Sequence, residues 1–187
     1  MLQIIRAQVN ERVQESSDPS QWLEIARNRV GGLFKLAVVG SSLLVDLDTP
    51  NDGSLEEIGG HYGVIFMIQD ELLDLLGATK GALRGQSIRE GKVTGLLNHF
   101  LHNADSESRD RVWKIFCRTS AETSDDDVAE VLDAMERQGT FRYAVDLIRE
   151  QQEQVRAKST TLDAKFMNAL TSITEVFLKP LLDRLEP

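Results

Sequence analysis

The chain has 187 residues, with 30 acidic against 21 basic side chains and a formal charge of -9. That length suffices for one domain with a sizeable core and no staples, while the acidic balance argues against nucleic acid or an anionic membrane as the main partner, since both require clustered Lys and Arg. The lone cysteine, Cys117, excludes an internal disulfide and reads as a small core residue, which points to a cytoplasmic protein.

From the amino terminus, MLQIIRAQVNERVQ turns polar too soon to form a secretory apolar core. The longest apolar run, LFKLAVVGSSLLV, is interrupted by Lys35 and is too short to span a bilayer. Apolar residues then recur at helical spacing, alternating strand patterns are lacking, and only four prolines occur. This predicts an all-α chain forming one domain over residues 1–187. Helices are expected at about 2–15, 19–45, 54–77, 88–103, 106–119, 124–137, 139–158 and 160–184. Asp18-Pro19, Ser54-Leu-Glu-Glu57 and Ser124-Asp-Asp-Asp127 read as helix starts, and Gly53, Gly77 and Gly139 as stops. The Gly-rich and basic segment from Gly77 to Glu90 reads as a loop.

The stretch FMIQDELLDLLG, Phe66 to Gly77, sets Asp70, Glu71 and Asp74 in an otherwise apolar helix. Charges that lose their water are costly unless paired or bound to a cation. Asp70 and Asp74 lie one helical turn apart with Glu71 beside them. Hard oxygen donors so placed suit Mg²⁺, which takes one or two protein carboxylates together with phosphate oxygens. The same three residues also read as a solvated helix face.

Several motifs together resemble the polyprenyl synthetase family, the trans-isoprenyl diphosphate synthases. Gly59, Gly63 and Phe66 precede Ile68, Asp70, Glu71 and Asp74 at the spacing of that family's G-x-x-x-G-x-x-F-Q-[IL]-x-D-D-x-x-D block, its second aspartate-rich motif. Arg29-Val-Gly-Gly-Leu-Phe34 is similar to its Lys-Thr-x-x-Leu-Phe signature. Gly85-Gln-Ser-Ile-Arg-Glu-Gly-Lys-Val-Thr94 echoes its Gly-Ser-Asp-Leu-x-x-Gly-Lys-x-Thr, and Gln8 stands for the glutamine of a preceding Gly-Gln element.

The resemblance implies a helical bundle of the isoprenoid synthase type. It implies Mg²⁺ held by Asp70, Glu71 and Asp74, diphosphate contacts from Arg29, Lys80, Arg84 and Lys92 with Arg89 a further candidate, and a prenyl pocket near Phe66 and Met67. The implied reaction condenses an allylic diphosphate with isopentenyl diphosphate, so isoprenyl diphosphates are the expected substrates. The expected assembly is a homodimer or a complex with a complete synthase.

Departures from the pattern bear on activity. Met67 stands where the family has Gln, Ser87 where it has Asp, and Ala82 where it has a diphosphate-binding Lys, with Lys80 and Arg84 near in sequence. In relatives a first aspartate-rich motif lies well upstream of the Lys-Thr signature. A chain starting at Met1 just before Gln8 is expected to lack it, to be weak or inactive alone, and to leave product chain length undefined. Two readings follow: part of an isoprenyl diphosphate synthase, or a non-catalytic partner of a complete one. The weaker alternative of a terpene cyclase is disfavoured by Glu90-Gly-Lys-Val-Thr94.

Other features are ordinary. His99 and His102 lie three apart on a helix without an evident third ligand, His61 sits among glycines, and no Walker loop is present. Trp22, Phe34, Phe66, Phe100, Trp113, Phe116 and Phe141 are expected in the core. Phe166, Leu170, Ile173, Phe177 and Leu181 mark one face of a carboxyl-terminal amphipathic helix.

Overall fold

The computed structural model describes residues 19–44, 53–77, 83–159 and 164–185. Every regular element among the described residues is helical: α1 Pro19–Leu44, α2 Ser54–Leu76, α3 Gln86–Arg89, α4 Gly95–Asn103, α5 Ser106–Phe116, α6 Asp125–Arg137, α7 Thr140–Lys158 and α8 Ala164–Leu185. The all-α expectation therefore holds. The helix expected over 2–15 and Gln8 lie outside the described residues, as do Lys80 and Ala82.

Capping chemistry explains most boundaries. Ser124 and Asp127 form a reciprocal box at the start of α6, the Ser124 hydroxyl accepting from the Asp127 amide at 3.1 Å and the Asp127 carboxylate from the Ser124 amide at 2.9 Å. Asp105 accepts from the Ser108 amide at 2.9 Å to start α5. Gly77, at φ +66°, ends α2 in the left-handed region that glycine enters without a Cβ penalty.

One expected helix, 88–103, is two. Gly91, at φ +62°, interrupts it, and the chain runs extended at Thr94 before α4. The interruption is pinned, because a Cβ on Gly91 would stand 2.8 Å from the carbonyl oxygen of Phe116. The expected loop over Gly77–Glu90 correspondingly contains the short α3.

The chain divides into two compact units. Among the described residues, one comprises Pro19–Trp22 and Glu71–Phe141. Within it α5 and α3 each pack on α6, and Phe100, Val112, Val131 and Met135 are buried. The other comprises Leu23–Asp70 and the chain from Arg142 onward, and it buries Ile58, Ile65, Ile68 and Ile148 almost completely. Removing each such side chain from water stabilises the fold by about 1.5–3 kcal/mol before entropy is charged against it.

Burial corrects two expectations. Cys117 is exposed, as the cap residue directly after the last residue of α5, Phe116. Phe66 is 48% exposed although Phe100, Phe116 and Phe141 are buried as expected, and Trp22, Phe34 and Trp113 are half-buried. On α1, Leu33, Leu36 and Leu43 are at least 70% exposed, a row of apolar side chains with three- and seven-residue spacing. The carboxyl-terminal helix forms at Ala164–Leu185, while the side chains of Phe166, Leu170, Ile173, Phe177 and Leu181 lie outside the described residues. No helix among the described residues is long and apolar enough to cross a membrane.

Candidate functional site

The acidic motif occupies the final turns of α2. Asp70 is exposed, and no hydrogen bond or ion pair to another described residue engages its carboxylate. Glu71 and Asp74 are half-buried and committed elsewhere. Glu71 accepts the amide of Gly95 on Oε1 at 2.9 Å and the amide of Leu96 on Oε2 at 2.8 Å. Asp74 accepts the amide of Gln86 on Oδ1 at 2.8 Å, and on Oδ2 it receives both the amide of Ser87 at 3.1 Å and the Ser87 hydroxyl.

Each of these carboxylates therefore caps a helix start from a distance in sequence. The first amides of a helix have no acceptor within it and carry the positive end of its dipole, so an anion placed there is stabilised. Glu71 serves α4 and Asp74 serves α3. Position 95 must be glycine for a separate reason, since any Cβ there would overlap the ring of Trp22.

The expected convergence of three carboxylates on one cation differs from this arrangement. Among the described residues no group of three His, Cys, Asp or Glu side chains is gathered to hold a metal ion. The amides of Gln86, Ser87, Gly95 and Leu96 have taken two of the three acids. Nothing in the linear spacing of Asp70, Glu71 and Asp74 distinguishes the exposed one from the capping ones. The visible signals were Thr94-Gly95 and Gly85-Gln86, two helix starts in need of acceptors.

The basic candidates are dispersed in their roles. Arg84 is exposed and donates one of its N–H groups, Nε, to the carbonyl of Leu75 at 3.0 Å, closing the end of α2. Lys92 is 67% exposed at its side chain and pairs with Glu90. That pairing, with a second hydrogen bond from Gln86, holds the Glu90 carboxyl below its ordinary range. Arg89, expected to meet diphosphate, is instead buried and bonded to the carbonyl of Thr123 at 2.8 Å and to Asp125. The side chain of Arg29 on α1 lies outside the described residues, and Lys80 does so entirely. Phe66 rests at 5.5 Å from the ring of Phe34, and Met67 beside it is half-buried.

A buried histidine–glutamine pair in the second unit, met by the exposed Arg27, escaped the sequence reading. His61 Nδ1 donates to Gln151 Oε1 at 2.8 Å, and Arg27 Nη2 donates to the same oxygen at 3.4 Å. Gln151 is 1% exposed and His61 8%. A glutamine on the apolar face of α7 was the available signal. Burial is the largest influence on His61 and holds its imidazole below the usual 6.5; Arg27 and Lys158 act in the same sense, while Gln151 and Glu57 oppose them.

The fold and the motif block agree with comparison to known proteins. The family model for polyprenyl synthetase matches residues 1–135, and the chain belongs to that family. It is 28% identical over 117 residues to a short chain isoprenyl diphosphate synthase of Methanocaldococcus jannaschii, covering 62% of this chain and 35% of the relative. It is 25% identical over 174 residues to an all-trans-nonaprenyl-diphosphate synthase of Rhodobacter capsulatus, covering 91% of this chain and 52% of the relative. The structure of geranylgeranyl pyrophosphate synthetase from Pyrococcus horikoshii Ot3 superposes with a TM-score of 0.74 at 25% identity, over 93% of this chain and 54% of that one. The fold is thus the helical one of the isoprenyl synthases. The chain spans about a third to a half of the length of these relatives.

Proposed function

We propose that this chain is a prenyltransferase-type protein of isoprenoid biosynthesis, a cytoplasmic single-domain protein that takes part in condensing an allylic diphosphate with isopentenyl diphosphate. The observation that carries this reading is that Asp70, alone of the three acids in the family's second aspartate-rich block, has an exposed carboxylate with no described partner.

Asp70 fits Mg²⁺ as one ligand, because that ion takes few protein carboxylates and completes its shell with water and phosphate oxygens. Magnesium, when bound, supplies the positive charge that stabilises a departing diphosphate. Arg84 and Lys92, both exposed, and Arg29 and Lys80 by their places in the motifs, are the groups to meet the diphosphate oxygens. Phe66, half exposed beside Phe34, and Met67 offer apolar surface to a prenyl chain.

Titration calorimetry with pyrophosphate and Mg²⁺ tests the site: uptake by the wild-type chain and its loss in Asp70→Asn support it. Unchanged uptake in that variant refutes it.

A second reading is favoured by Ser87. Where the family carries an acid, this hydroxyl is turned onto Asp74, and Met67 replaces a polar amide. Those losses suit a non-catalytic subunit that pairs with a complete synthase, covering the exposed Leu33, Leu36 and Leu43 of α1, whereas the first reading has a second copy cover them. Mixing the chain with a full-length synthase and measuring product length separates the two. An altered length distribution favours the partner subunit, and an unchanged one excludes it.

A further inference from the structure

The segment from Arg84 to Leu96 is fastened to the last turns of α2 at two places. At its beginning Arg84 Nε bonds to Leu75 O, Gly85 N to Asp74 O at 2.9 Å, and the amides of Gln86 and Ser87 to the Asp74 carboxylate. At its end the amides of Gly95 and Leu96 bond to the two oxygens of Glu71. Between these points lie only Ile88 to Thr94. That stretch is stiffened further by Gly91 against Phe116 and by the Lys92 amide donating to Ser87 O at 2.9 Å.

We infer that Glu71 and Asp74 are positioning residues for Lys92 and not ligands of a cation: Asp74 anchors the chain before Lys92, Glu71 anchors it after, and the lysine is carried between two fixed helix starts. A carboxylate that left for a metal would abandon two backbone amides each time, and unpaired amides in a half-buried setting are costly. The same occupancy removes these helix starts as diphosphate sites, although unoccupied N-terminal amides bind phosphate readily. The role given to Lys92 rests on the function proposed above; the anchoring does not.

Amide hydrogen exchange by NMR separates the two. The leading amides of a helix normally exchange freely for want of an acceptor. In the wild-type chain Gln86, Ser87, Gly95 and Leu96 are expected to be protected, and to stay protected when Mg²⁺ and pyrophosphate are added. Glu71→Gln is expected to lose about tenfold in protection at Gly95 and Leu96 while sparing Gln86 and Ser87, the size of one hydrogen bond of about 1.4 kcal/mol. Asp74→Asn should show the converse. In calorimetry Glu71→Gln is expected to weaken pyrophosphate uptake several-fold at an unchanged half-saturating Mg²⁺ concentration, whereas Asp70→Asn raises that concentration. Free exchange at these four amides in the wild type, or protection lost on adding Mg²⁺ and pyrophosphate, overturns the anchoring, and neither measurement needs a variant to fold. Protection without any pyrophosphate uptake by the wild type would retain the anchoring and refute the proposed function.

Discussion

Gly63 of α2 faces the backbone of Gly31 of α1 so closely that a Cβ on Gly63 would overlap the Cα and N of Gly31. Gly59, one turn earlier, meets Lys35 in the same manner, a Cβ there falling 2.6 Å from the Lys35 Cα. Two helices thus touch backbone to backbone, and the small-residue spacing that belongs to the family block has a packing cause.

Gly63→Ala is therefore expected to destabilise the chain by roughly 1–3 kcal/mol through overpacking against rigid backbone. Gly60 provides the contrast. A Cβ there meets only the flexible Cε of Lys35, at 3.5 Å, so Gly60→Ala should be neutral or gain up to about 1 kcal/mol of helix propensity. Urea unfolding of the two variants checks this, and equal midpoints would contradict the contact.

Arg89 and Asp125 differ in burial although they share an ion pair. The Arg89 side chain is 10% exposed and Asp125 96%. Removing the arginine leaves the Thr123 carbonyl without its donor, so Arg89→Ala is expected to cost about 1–3 kcal/mol. Asp125→Asn removes only the exposed partner and should cost under about 1 kcal/mol. Denaturant melts that rank the two variants the other way would show that the exposed charge, not the carbonyl contact, matters.

The depressed His61 gives stability a definite pH dependence. The unfolded chain takes up the proton near the ordinary 6.5, while the folded chain does so only at lower pH. Stability is therefore full above about pH 6.5 and falls as pH drops below it, toward the folded-state value. His99 acts in the same sense, its imidazole lowered by burial and then by His102. His61→Gln should flatten, but not abolish, the decline of thermal midpoint between about pH 6.5 and pH 5. An undiminished slope would place the titration elsewhere.

Much of the architecture was legible because it is written in local chemistry. The Ser124–Asp127 box, the left-handed glycine after α2 and the apolar periodicity of α1, α2 and α7 need only neighbouring residues to act. The break inside 88–103 was less visible. A glycine within an otherwise helical run is compatible with either outcome, and it was the Phe116 carbonyl, 25 residues away by the numbering, that held Gly91 in its turn. Cys117 and Phe66 were misplaced for a similar reason: an apolar residue near a helix end is buried or not according to what the rest of the chain puts over it.

The amino-acid order by itself determined that the chain is helical, where most helices start and stop, and that one helix carries three acids amid apolar neighbours, since periodicity and capping act over a few residues. Only the tertiary structure decided what those acids do. Folding brings the amides of Gln86, Ser87, Gly95 and Leu96 to Glu71 and Asp74 and leaves Asp70 exposed. Three carboxylates alike in charge are separated in function by which unsatisfied helix start lies within hydrogen-bond reach, a distance in space that spacing along the chain does not contain.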